Sequence, residues 1–159
     1  MPELVSVVGQ IPRQAFPVQC HQATLYWLIR ARLQRDPTLD EFLESPNIIR
    51  RLAFFGQPVS RPKRPMRLQP GTVLVYTGGA NDHSCITISW DKLTGYKQPG
   101  WFAGGEASKY SEHNLSEIRW ISDGQVQGNQ PTMKCTLYRI NEVSAQGNLE
   151  HGLSEITAH

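Results

Sequence analysis

The chain has 159 residues, 39% hydrophobic and 19% charged, with a formal net charge of +2. That length and composition fit one ordinary globular domain, and the basic excess is too mild to point to nucleic acid. No uninterrupted apolar run approaches the ~20 residues that cross a bilayer, so neither nucleic acid nor membrane is an expected partner.

The N-terminus, MPELVSVVGQIPRQ, lacks the basic region and apolar core of a secretory signal, and the expected site of synthesis and residence is the cytoplasm. Residues 4–8, LVSVV, are β-prone, and Pro12 and Pro17 hold the following stretch extended as far as Cys20. From there Leu25, Leu28, Ile29 and Leu33 recur at helical spacing, which predicts a helix over 20–35, stopped by Asp36-Pro37. Thr38 to Glu41 is a capping-box pattern opening a short helix, LDEFLE, and Ser45-Pro46 supplies a cap and a first-turn proline for a third, closed by Gly56.

The segment QPVSRPKRPMRLQP is too rich in proline for a regular element. Its basic residues Arg61, Lys63, Arg64 and Arg67 read either as a solvated loop or as one side of a cleft for an acidic partner. After Gly71 the texture is β, with strands expected at 72–77, 84–90, 96–103, 118–122 and 133–140. Residues 1–140 form the expected domain, and 141–159 a weakly patterned tail, frayed or flexible. Helices followed by antiparallel strands argue an α+β fold.

The cysteines Cys20, Cys85 and Cys135 are odd in number and contain no C-x-x-C, a poor disulfide framework and a poor zinc site. No metal or other cofactor is expected. Cys85 and Cys135 fall inside predicted strands and read as buried thiols. Cys20 opens a helix, where the positive end of the helix dipole favours the thiolate.

A nucleophilic thiolate needs a general base, and His83 is the candidate because it opens the strand SCITISW with its direction fixed by the pleat. On that alternation His83, Cys85, Thr87 and Ser89 share one face while Ile86, Ile88 and Trp90 are left for the core. The histidine is expected to face away from the apolar side. His21 lies about 100° round the helix from Cys20 and should diverge from it. Cys20, His21, His83 and Cys85 contain the right donors for zinc, but adjacent helical residues do not readily share one ion.

A cysteine opening a helix, then LQPGTVLVY, then HSCITIS resembles the papain-like cysteine hydrolases, particularly NlpC-type and CHAP peptidoglycan hydrolases. The turn carries Thr72 where that pattern usually has Asp. CHQATLYWL is similar to the helix of YopT-type effector proteases, through Ala23, Thr24 and Trp27; their Asp-Pro-Asn segment after the histidine is absent. The resemblance covers about residues 14–105. It implies a papain-like fold with N-terminal helices packed on an antiparallel sheet, and a cysteine peptidase or amidase acting on a peptide or peptidoglycan-type amide.

The same resemblance implies that Gln14, six residues before Cys20, donates to the oxyanion, with Gln19 as the competing candidate. It also implies a bacterial effector or toxin exported by a specialised secretion system and, in the toxin case, a cognate inhibitor protein. The third catalytic position stays open. Asp91 would lie roughly 26 Å from His83 along a straight strand. If 91–95 is a hairpin turn, residues 102–104 come opposite His83 and Glu106 is the nearest orienting group; Gln98 is the alternative. A deamidase or acyltransferase would use the same Cys-His pair, and a non-catalytic binding module would use the basic loop and exposed aromatics instead.

Overall fold

The computed structural model describes residues 19–55, 67–79, 81–96, 101, 110–128, 132–140 and 153–155. Helix α1 runs Cys20–Leu33. At its start Gln22 folds its side-chain oxygen back to accept the Gln19 N–H at 3.0 Å. It ends at Gln34, whose left-handed backbone (φ 57) turns the chain before Asp36-Pro37, where proline bars further helix. Helix α2, Leu39–Leu43, has the expected capping box: Thr38 Oγ1 accepts the Glu41 N–H at 3.1 Å and Glu41 accepts the Thr38 N–H at 2.9 Å. Arg35 donates to both Glu41 oxygens at 2.7 and 3.1 Å, and this pairing holds the Glu41 carboxyl below the usual range.

Helix α3 is Ser45–Phe55. Ser45 is its first residue rather than its cap, and its hydroxyl donates back to the Phe42 and Glu41 carbonyls at 2.7 and 3.0 Å. The proposed stop at Gly56 lies outside the described residues, as do strand 4–8 and all of the proline-rich segment before Arg67.

The strands are β1 (Val73–Thr77), β2 (His83–Thr87), β3 (Lys92–Tyr96), β4 (Tyr110–Asn114), β5 (Trp120–Ser122), β6 (Gln125–Val126), β7 (Met133–Ile140) and β8 (Leu153–Glu155). They form one antiparallel eight-stranded sheet in the order β4-β3-β2-β1-β7-β6-β5, with β8 also paired to β7. The α+β class holds.

Several boundaries differ from expectation. β2 stops at Thr87, because Ile88 N–H bonds to Lys92 O and the hairpin turns at 88–91 instead of 91–95. The strand expected at 96–103 therefore starts at Lys92. β4 occupies sequence that reads as loop, and part of the tail returns as β8, so the sheet does not end at 140.

Both faces of the sheet are buried. One face receives α1 and α3: Val73, Val75, Ile86, Ile88 and Tyr138 pack against Leu25, Trp27, Leu28 and Ile49. On the other face lies a second apolar layer built from Leu74, Tyr76, Cys85, Leu93, Trp101 and Leu137, among others. α1 is consequently buried almost all round; among its described side chains only Cys20, Gln22 and Arg30 are even partly exposed. Such a helix carries a weak amphipathic signal because it lacks a solvent face.

The turn Gln69-Pro70-Gly71-Thr72 launches β1. Proline at the second position and a left-handed Gly71 (φ 89), with Thr72 N–H on Gln69 O at 3.2 Å, make it a type II turn. Thr72, which replaces the carboxylate of the resembled pattern, donates its hydroxyl to Gln69 O at 2.6 Å. Thr87 Oγ1 accepts Thr72 N–H at 2.9 Å and donates to Gln69 O at 2.8 Å, locking the turn to the end of β2.

Candidate active site

Cys20 is the first residue of α1 and is partly exposed, whereas Cys85 and Cys135 are buried; none of the three forms a disulfide. No acidic side chain occupies the first turn of α1, so none within the helix offsets its positive end beside the sulfur. The Cys20 thiol points at the Asp82 carbonyl, with Sγ 4.0 Å from the oxygen. A peptide oxygen lies about 2.2 Å from the next nitrogen, so the sulfur is within about 6 Å of the His83 backbone nitrogen. The helix start and the residue just before β2 are brought together across 62 positions of sequence.

The His83 ring lies on the face opposite α1. It stacks on Trp101 with centroids 4.7 Å apart and planes at 7°, and meets the edge of Tyr76 at 6.1 Å. It is 1% exposed. The expectation that His83 faces away from the apolar side is therefore corrected: the pleat direction was read properly, but the face it selects is itself a core layer. Cys85, two residues on, shares that face. Burial pushes its thiol well above the ordinary value, and the neighbouring Cys135 and Cys20 add to the shift. Burial also raises the Cys135 thiol.

His21 diverges from Cys20 as expected and enters the α1-facing layer, where Nδ1 and Ser84 Oγ are 2.8 Å apart. Desolvation, followed by the nearby Arg50 cation, lowers its pKa to about 4, so the ring is neutral at physiological pH. Its Nε2 finds no hydrogen-bond partner among the described residues. Arg50 in turn bonds Asp82 at 3.2 Å, tying α3 to the residue whose carbonyl faces Cys20. This brace and the His21–Ser84 contact were not foreseen. The signal for Ser84 was present, since it alternates with His83 and so had to face the helix.

Gln14, Gln98 and Glu106 lie outside the described residues. The geometric argument for Glu106 does not hold, because the shorter hairpin pairs Leu93 with Thr87 and Thr94 with Ile86. Asp91 sits in that turn, bonded through Oδ1 to the Ser89 hydroxyl at 3.0 Å. Gln19 is immediately before α1 and partly exposed. Among the described residues no group of three His, Cys, Asp or Glu side chains is arranged to hold a metal, and no helix is long and apolar enough to cross a membrane. Of the basic loop only Arg67 is described; it lies over the half-exposed Trp90 ring at 5.3 Å. No family model, curated protein or solved structure matches the chain.

Proposed function

We propose that the chain is a papain-like cysteine hydrolase in which Cys20 is the nucleophile and His83 the base, acting on a peptide or peptidoglycan-type amide. The observation that supports this reading is the approach of the Cys20 sulfur to the Asp82 carbonyl, at 4.0 Å, which sets a helix-opening cysteine beside the residue that precedes a strand-opening histidine. The Cys20 thiol gives its proton to His83 and its sulfur bonds to the amide carbonyl carbon. The carbonyl electron pair moves to oxygen, then returns as the C–N bond breaks and the amine leaves with the proton from His83. Water, deprotonated by the same imidazole, cleaves the thioester and restores the thiol. Gln14 or Gln19 would donate to the oxyanion, and Glu106 or Gln98 would orient the imidazole.

Iodoacetamide labelling followed by peptide mapping tests this. Cys20 should react much faster than Cys85 and Cys135, with a rate that titrates below about pH 8 and falls in His83→Gln. Slow labelling of Cys20, unchanged by that substitution, would sink the enzyme reading. A binding module is the second reading, favoured by the Arg67–Trp90 pair at 5.3 Å; it requires partner capture that survives Cys20→Ala.

A further inference from the structure

A different trio of side chains, on the opposite edge of the sheet from β5, has the connectivity of a nucleophile relay. Ser111 and His113 alternate on β4 and so share a face; Ser111 Oγ and His113 Nε2 are 3.0 Å apart. The other ring nitrogen, Nδ1, is 3.6 Å from Glu117 Oε2. A carboxylate beside Nδ1 favours the tautomer with its proton there, which leaves Nε2 as the acceptor of the serine proton.

Glu117 and Ser111 are each held from outside the trio. Asn114 N–H donates to Glu117 Oε2 at 2.6 Å, and Leu115 N–H bonds Asp91 O at 2.9 Å, fastening the 3-10 turn Leu115–Glu117 to the β2–β3 hairpin. Thr94 Oγ1 donates to Ser111 O at 3.0 Å. His113 is 6% exposed while Ser111 is partly exposed, so the imidazole is desolvated and the hydroxyl can meet a solute. Opposite Ser111 stands Gly95, which presents no side chain to crowd it.

We propose that Ser111 is a second nucleophile, activated by His113 and positioned through Glu117, that accepts acyl groups from small carboxylic esters. The serine oxygen bonds to the ester carbon as its proton moves to His113 Nε2. The C–O bond to the alcohol then breaks, and the alkoxide takes that proton. Water gives its proton to the same nitrogen and bonds to the acyl carbon; the bond from that carbon to the serine oxygen breaks, the serine takes the proton back and the carboxylic acid leaves. The activity is independent of Cys20.

A fluorophosphonate probe on the full chain tests the inference, since it forms a stable Ser–O–P bond with loss of fluoride. Peptide mapping should find the adduct on Ser111 and not on the exposed Ser116 or Ser122, which serve as internal references without any variant. His113→Gln should slow labelling by ~100-fold or more. Glu117→Gln, a change in a positioning residue, should slow it by roughly 10-fold or more with the probe's affinity unchanged. Cys20→Ala should leave it unaltered. Labelling of Ser111 no faster than of Ser116, or equal labelling in a folded His113→Gln protein, or dependence on Cys20, overturns the proposal.

Discussion

His21 should make the protein acid-sensitive in a specific window. The buried imidazole has its pKa lowered from 6.5 to about 4, by desolvation first and Arg50 second. Between those values the unfolded chain binds a proton that the folded chain refuses, so stability is full above pH 6.5 and falls as pH drops toward 4. The whole difference corresponds to about 3 kcal/mol, most of it spent between about pH 7.5 and about pH 4.5. Urea unfolding at those two pH values, for wild type and His21→Leu, isolates the effect. The variant sacrifices the Ser84 contact at both pH values but has no proton to gain, so its loss on acidification should be smaller by about 2 to 3 kcal/mol. Equal losses in the two proteins would refute the assignment of a buried, neutral His21.

Arg50→Ala should change stability at neutral pH by less than about 1 kcal/mol, because the guanidinium is largely exposed. The same change should raise the His21 pKa, read from the imidazole proton shifts by NMR; an unchanged value would remove Arg50 as a cause. Gly128→Ala would place a Cβ 2.8 Å from both Met133 Sδ and the Trp101 ring, costing about 1–3 kcal/mol in denaturant unfolding. Because Trp101 stacks on His83, the substitution should also alter the His83 ring shifts, and intact stability would show that the ring yields freely. Thr87→Val removes the acceptor of Thr72 N–H and a donor to Gln69. It should cost about 1–3 kcal/mol by urea unfolding despite the matched shape, and a neutral result would discount the turn lock.

Local chemistry with short sequence reach was readable. The Cys20 helix start, the Thr38–Glu41 capping box, the Gln69–Thr72 turn and the strand ending at Ile140 all follow from neighbouring residues. What failed depends on distant partners. β4 reads YSEHN, too polar to announce a strand, and is formed by pairing with β3; β8 has only LSE. The face of His83 was misjudged for a related reason. Alternation separates core from solvent when one side of a sheet is wet, whereas β2 is buried at every position and both sets of alternate residues are inside. Of the candidate site, the place of Cys20 at a helix start and its approach to the start of β2 were legible. The Arg50–Asp82 brace was not, since an exposed helix cation offers no local hint of its partner.

The pairing of Val73 with Tyr138 sets an order of events during synthesis. β1 is central in the sheet, yet one of its neighbours is β7, and Tyr138 of β7 also belongs to the layer on which α1 rests. Helix α1 therefore leaves the ribosome long before its seat exists. Its apolar sides have to wait, solvated or sheltered by a chaperone, until β7 arrives, which favours slow, late folding over stepwise assembly from the N-terminus.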